Sequence, residues 1–139
     1  MILRVMIVED EDMIRNGLVK TLPWADMGCT VIGSAGDGKS GLEQIIERRP
    51  DVVITDIRMP EMDGFEMLER ALAVYRFHII IFTSYAEFDY AQKAISIHAY
   101  DYLLKPLDEK RLAELLARIR ETEEPQEQLE TPGSFSAEE

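Results

Sequence analysis

A chain of 139 residues has room for one domain with a substantial core. Its 27 acidic against 15 basic residues give a formal net charge of -12, which argues against a duplex-DNA-binding surface, since such a surface needs a basic stripe to displace counterions. A single cysteine, Cys29, excludes an internal disulfide and points to a reducing compartment, the cytoplasm.

In chain order, Ile2 to Val8 reads as a buried strand running straight into Glu9-Asp10-Glu11-Asp12. That apolar stretch is too short for a signal peptide's apolar region or for a bilayer span, so a soluble protein without membrane contact is expected. Asp12 then caps a helix with Ile14, Leu18 and Leu22 on one face, and Pro23 ends it. Cys29 lies in an apolar context and reads as a small packing residue rather than a nucleophile. Thr30 to Ile32 is a second short strand, and Gly33 to Gly38 a loop. A second helix places Leu42, Ile45 and Ile46 inward, and Pro50 closes it.

Val52 to Thr55 is a third strand, apolar without relief and therefore buried on both faces. It delivers Asp56 and stops, because Arg58-Met59-Pro60 cannot continue a central strand. Asp63-Gly64 starts a third helix with Phe65, Leu68 and Leu72 on its apolar face. Ile79 to Phe82 is a fourth strand ending on Thr83-Ser84, and a helix from about Ala86 to Ile97 follows. Tyr100 to Leu104 is a fifth strand ending on Lys105-Pro106. The last helix, roughly 108–120, carries Leu112, Leu115, Leu116 and Ile119 on one stripe. Residues 121–139 hold seven of the 27 acids and no Lys or Arg, which leaves 20 acids against 15 bases before them. The expected organisation is a folded domain over 1–120 and a disordered acidic linker or tail over 121–139.

Five strands alternating with five helices through short connections predict an α/β fold. It is a doubly wound parallel sheet with helices on both faces, taken here in the flavodoxin-like order 2-1-3-4-5. Such a sheet gathers the carboxyl ends of its strands on one edge, where open α/β sheets bind ligands. Glu9 and Asp10, Asp56, Thr83 and Lys105 would meet there. Alone, Asp56 reads equally well as a cap of the next turn; five polar residues at the same end of separate strands point to a site. Converging carboxylates repel unless a cation compensates, and Mg²⁺ with its preference for oxygen ligands suits them. The set matches in-line transfer of a phosphoryl group to a carboxylate. Asp56 is the nucleophile, with the metal and Lys105 neutralising charge and the Thr83 hydroxyl bonding the added anion.

The runs Val8-Glu9-Asp10-Glu11, Ile54-Thr55-Asp56-Ile57-Arg58-Met59-Pro60 with Asp63-Gly64, Phe82-Thr83-Ser84 and Tyr102-Leu103-Leu104-Lys105-Pro106 closely resemble the receiver domain of two-component response regulators, over residues 2–120. The resemblance implies that Asp56 accepts phosphate from a sensor histidine kinase. It implies that Asp10 and Asp56 bind Mg²⁺ directly, Glu9 binds through water, and the Arg58 backbone carbonyl completes the protein ligands. Lys105 would pair with the phosphoryl group, and the Lys105–Pro106 peptide would be cis. Rather than an enzyme, the chain would be a signalling phosphoacceptor, with Mg²⁺-dependent self-phosphorylation and autodephosphorylation. Phosphate would draw Thr83 toward it, Tyr102 would turn inward, and the 86–120 face would change to control a homodimer or an output domain.

The stretches Leu22-Pro23-Trp24, Ser84 to Ala91 and Asp101 to Pro106 resemble more narrowly the receivers attached to AraC-type helix-turn-helix domains. Either a C-terminal domain outside this segment would then bind DNA and act in transcription, or the chain would be a stand-alone receiver. His98 stands where the family usually has glycine at the end of the fourth helix, and reads as a surface or cap residue. The Arg58 side chain lies near the mouth of the site.

Two other readings compete. Gly33-Ser34-Ala35-Gly36-Asp37-Gly38-Lys39-Ser40 matches a P-loop in full and sits between a strand and a helix, with Val53 to Asp56 as a Walker B strand. Yet Asp37 would put a carboxylate inside a phosphate cradle, and Glu9, Asp10, Thr83 and Lys105 would have no role. A pure interaction module with a degenerate acceptor is opposed by the intact set of Glu9, Asp10, Asp56, Thr83 and Lys105.

Overall fold

The structure is a computed structural model and describes residues 1–123. Ten elements alternate: β1 (Leu3–Val8), α1 (Asp12–Thr21), β2 (Cys29–Ala35), α2 (Gly38–Arg48), β3 (Val52–Thr55), α3 (Gly64–Leu72), β4 (His78–Thr83), α4 (Phe88–Ser96), β5 (Asp101–Leu104) and α5 (Glu109–Glu123). The strands are parallel in the order β2-β1-β3-β4-β5, as the alternation predicts.

Period-two alternation sends successive strand residues to opposite faces and builds two apolar layers. Leu3, Val5, Ile7, Val52, Ile54, Ile80 and Phe82 face α1 and α5, where they meet Leu18, Leu112, Leu115, Leu116 and Ile119. Met6, Val8, Val53, Ile79 and Ile81 face the other way, toward Ile45, Phe65, Met67, Leu68 and Ala94 of α2, α3 and α4. Each fully buried Leu or Ile contributes about 2 kcal/mol. Helix propensities differ by at most about 0.7 kcal/mol per ordinary residue, so packing of the stripe, not propensity, places α5.

Several boundaries differ from the sequence reading, each for a local reason. β2 continues through Gly33, Ser34 and Ala35, expected to be loop. Its register slips once, Val5 pairing with Val31 but Met6 with Gly33, and the ladder then resumes through residues of low β-propensity. Glu11, not Asp12, occupies the N-cap of α1 and makes no side-chain cap bond. Asp12 lies in the first turn, pairs with Arg15 at 2.6 Å, and favours the helix by its charge near the positive end. Asp63 does cap α3, accepting from the Glu66 N–H at 2.9 Å. α4 is shorter than the expected 86–97. α5 runs past 120 to Glu123, so the first three residues of the expected tail are helical. The rest of that tail, 124–139, lies outside the described residues. Among the described residues no helix is long and apolar enough to cross a membrane.

Cys29 is buried, its Sγ against the Met27 carbonyl, and burial pushes its thiol from 9.0 up to about 11 despite the opposing charge of Arg120. The proton is therefore held in the folded state and lost first by the unfolded chain. The Cys29 contribution to stability is whole below pH 9 and declines until about pH 11, by at most about 3 kcal/mol. Urea denaturation of the protein and of Cys29→Ala across pH 8 to about 11 measures it. The stability difference between the two should drift toward the variant over that window; a constant difference would contradict a raised thiol.

Candidate acidic site at the carboxyl edge of the sheet

The sheet's hydrogen bonds run on past the strands and fix the residues that follow them. Glu9 N–H donates to the Ala35 carbonyl at 3.0 Å, Asp56 N–H to Val8 at 3.1 Å, and Lys105 N–H to Thr83 at 2.8 Å. Three strands thus deliver Glu9, Asp56 and Lys105 to one point, and the burial of Glu9, Asp56 and Thr83 follows from the strands on either side. The Lys105–Pro106 peptide is cis.

Lys105 Nζ lies 2.9 Å from Asp56 Oδ2 and 2.8 Å from Glu9 Oε1. The Ile57 N–H holds Asp56 Oδ1 at 2.7 Å, and the Glu11 N–H holds Glu9 Oε2 at 3.1 Å. The two contacts of the ammonium are unequal. With Asp56 it forms a hydrogen bond, whereas Glu9 Oε1, although as close, makes an ion pair without hydrogen-bond geometry and is left without a hydrogen-bond partner. Burial, the strongest influence, pushes the Glu9 carboxyl above its ordinary value, against the pull of Lys105 and the Glu11 N–H. Burial also pulls the Lys105 ammonium down, but the close carboxylates of Glu9 and Asp56 outweigh that and leave it raised. One cation thus answers two buried carboxylates and satisfies only one of them fully.

Asp10, partly exposed, adds a third acid. One oxygen each from Glu9, Asp10 and Asp56 lie within 4.8 Å of one another. A cluster of hard oxygen donors, one of them buried and unbonded, fits a hard divalent cation that keeps waters of its own. The chemistry available here is that of a carboxylate oriented by a main-chain N–H and an ammonium, beside a place for a metal ion.

The other expected residues lie around this point. Thr83 is fully buried at the end of β4, and its hydroxyl accepts the Tyr85 N–H at 3.4 Å. Tyr102, half-buried on β5, donates its hydroxyl to the Tyr85 carbonyl, so Thr83 and Tyr102 meet through Tyr85 rather than directly. Arg58 extends its side chain away from the carboxylates, to Glu87, Tyr85 and Tyr90. The sequence reading missed those three partners, because contacts between residues about 30 apart leave no periodic trace. His98 adopts φ 59° just past α4, the left-handed conformation that glycine ordinarily supplies there, and its N–H donates to Ile95. It lies at the other end of β5 from Lys105 and takes no part in the cluster.

The P-loop reading does not survive. Gly33 to Ala35 belong to β2, and the Asp37 carboxylate itself caps α2, accepting the Ser40 N–H at 2.7 Å where a phosphate would need that donor. Gly38 is there for a close approach: a Cβ would meet the Met62 carbonyl oxygen at 2.3 Å.

Residues 5–117 match the family model described as the response regulator receiver domain. The transcriptional regulatory protein HptR of Staphylococcus aureus is 40% identical over 119 residues, 86% of this chain and 47% of that protein. The transcriptional regulatory protein YesN of Bacillus subtilis is 33% identical over 117 residues, 84% of this chain and 32% of that protein. The chain thus spans about half, or less, of the length of these relatives. Among solved structures, the REC domain of AraT, a response regulator from Geobacillus stearothermophilus, superposes with a TM-score of 0.79 at 39% identity, covering 88% of this chain and 95% of that one.

Proposed function

We propose a function from one premise: the chain belongs to the response regulator receiver domain family. Asp56 accepts a phosphoryl group from a sensor histidine kinase or from a small phosphodonor. Its carboxylate oxygen bonds to phosphorus, the bond from phosphorus to the donor breaks, and the donor leaves with the electron pair. Lys105 and the Ile57 N–H hold the carboxylate for this attack, and Lys105 then pairs with the transferred group. Glu9, Asp10 and Asp56, with the Arg58 backbone carbonyl, hold Mg²⁺, which when bound neutralises charge on the phosphoryl oxygens. Hydrolysis of the acyl phosphate returns Asp56 and inorganic phosphate. The observation that carries this reading is the buried Asp56 bridged by Lys105 inside a cluster of three carboxylates.

Thr83 and Tyr102 form the switch, through the Tyr85 segment that both contact. The surface it controls is 86–120, where Phe88 and Ile95 are 73% and 72% exposed on α4, and Leu104 is exposed on β5. Apolar side chains so open suit a phosphorylation-dependent homodimer. As the chain spans about half the length of HptR, we take it for the receiver, residues 1–120, of a longer cytoplasmic transcription regulator. Residues 121–139 would lead to a DNA-binding domain of the AraC type.

The test is incubation with acetyl phosphate and Mg²⁺, followed by intact mass and by gel filtration. The protein should gain one phosphoryl mass and elute earlier, and Asp56→Asn should do neither. An Asp56→Asn protein that gains the mass equally refutes the acceptor, and a phosphorylated protein of unchanged elution refutes the dimer.

A further inference from the structure

Arg58 has more partners than a solvated arginine needs. Its Nε donates to the Tyr90 hydroxyl at 2.8 Å and its terminal nitrogen to Glu87 Oε2 at 2.7 Å, while the guanidinium carbon stands 3.8 Å from the centroid of the Tyr85 ring. These partners come from α4 and the segment leading into it. Behind them, the Tyr90 ring lies 6.1 Å from Phe65 of α3, and the Tyr85 carbonyl holds Tyr102 of β5. One side chain, two residues after Asp56, thus joins the 56–63 loop to α4. A planar guanidinium can stack and fork at once; an ammonium cannot.

We propose that Arg58 is a positioning residue whose side chain ties the 56–63 loop to the start of α4, so that a displacement of either reaches the other by a route that does not begin at Thr83 and meets the Thr83 contact only at Tyr85. The ion pair with Glu87 contributes little, as Arg58 and Glu87 are 48% and 51% exposed. The stack on Tyr85 and the bond to Tyr90 are what hold. A consequence rests on the phosphoacceptor reading. A phosphoryl group on Asp56 adds about two negative charges two residues before Arg58; a guanidinium drawn back toward them leaves the Tyr85 ring and the Tyr90 hydroxyl, and release of the tie loosens α4. The tie itself belongs to the unphosphorylated chain and is testable without that reading.

Amide hydrogen exchange followed by mass spectrometry over 57–63 and 86–97 tests it. In unphosphorylated Arg58→Ala both stretches should exchange about five- to tenfold faster. Tyr90→Phe, which keeps the ring and removes only the acceptor oxygen, should act on the same stretches more weakly. The double variant should exceed Arg58→Ala by no more than a small margin, because both remove one tie. Exchange over α1 and β2, which do not touch the tie, should be unchanged over times too short for global unfolding, which separates a local tie from general loss of structure. Unchanged exchange over 86–97 in Arg58→Ala, or effects of the two variants that multiply in full, would overturn the proposal. Failure of Asp56 to take up phosphate from acetyl phosphate would remove the functional reading and leave the comparison among unphosphorylated variants standing.

Discussion

Lys105→Met should lower the unfolding free energy by about 3 kcal/mol near pH 8 in the absence of divalent ions, and by clearly less near pH 5. The ammonium stands between Glu9 and Asp56, both buried, and removing it leaves two carboxylates facing each other at low dielectric with only main-chain N–H groups to answer them. Breaking a buried pair costs more than the pair contributes over an apolar replacement, since the charge left behind has no water to return to. The sign of the pH dependence follows from Glu9. Its folded pKa already lies above 4.5 because of burial, and loss of Lys105 removes the influence that held it down. A carboxyl raised in the folded state weakens that state as pH rises through its range, and lowering the pH lets Glu9 take a proton and remove the repulsion. The cost of the substitution should therefore shrink toward acid. Millimolar Mg²⁺ should recover part of the loss near pH 8, by supplying a cation that binds only the folded state. Urea denaturation at both pH values, with and without Mg²⁺, measures all three effects; equal stability of the two proteins near pH 8 would show that Lys105 bears no such charge.

The same contact explains which parts of the site could be read from sequence. A strand buried on both faces is an unbroken run of β-branched and aromatic residues, and Val52 to Thr55 or Ile79 to Phe82 can be little else. Parallel order puts all carboxyl ends on one edge, so the sequence alone brings Glu9, Asp56, Thr83 and Lys105 together. It leaves their mutual arrangement open. That Lys105 makes a hydrogen bond with Asp56 and only an ion pair with the equally close Glu9 depends on angles at the ammonium and the carboxylates, which no spacing encodes. Gly33 and Ser34 read as loop because the ladder that holds them belongs to β1, not to their own propensity. The sequence puts Arg58 near the mouth of the site, but its partners Tyr85, Glu87 and Tyr90 belong to α4 and the segment before it, about 30 residues away in the chain.

Gly64→Ala should damage both stability and the site. A Cβ at Gly64 would stand 2.2 Å from the Asp56 carbonyl oxygen and 3.2 Å from the Ile57 Cα, and these are backbone atoms that no rotamer change can remove. The Gly64 N–H meanwhile donates to the Ile57 carbonyl at 2.7 Å, so the first turn of α3 is fastened directly against the chain that leaves β3. Glycine is required here for close approach, because the helix cap at Asp63 and the end of β3 occupy one place. A methyl group must push them apart. Overpacking of this kind costs about 1–3 kcal/mol, and the upper end is expected where only backbone can yield. The displacement falls on Asp56 itself and on the Ile57 N–H that orients its Oδ1. A shift of about 1 Å at a reacting group can cost on the order of a hundredfold in rate. Uptake of phosphate from acetyl phosphate, followed by intact mass against time, should therefore slow far more than the lost stability accounts for. Lowering the temperature until the variant is fully folded separates the two effects. If uptake then returns to that of the unaltered protein, Gly64 serves packing alone; if it stays slow, the start of α3 sets the position from which Asp56 attacks.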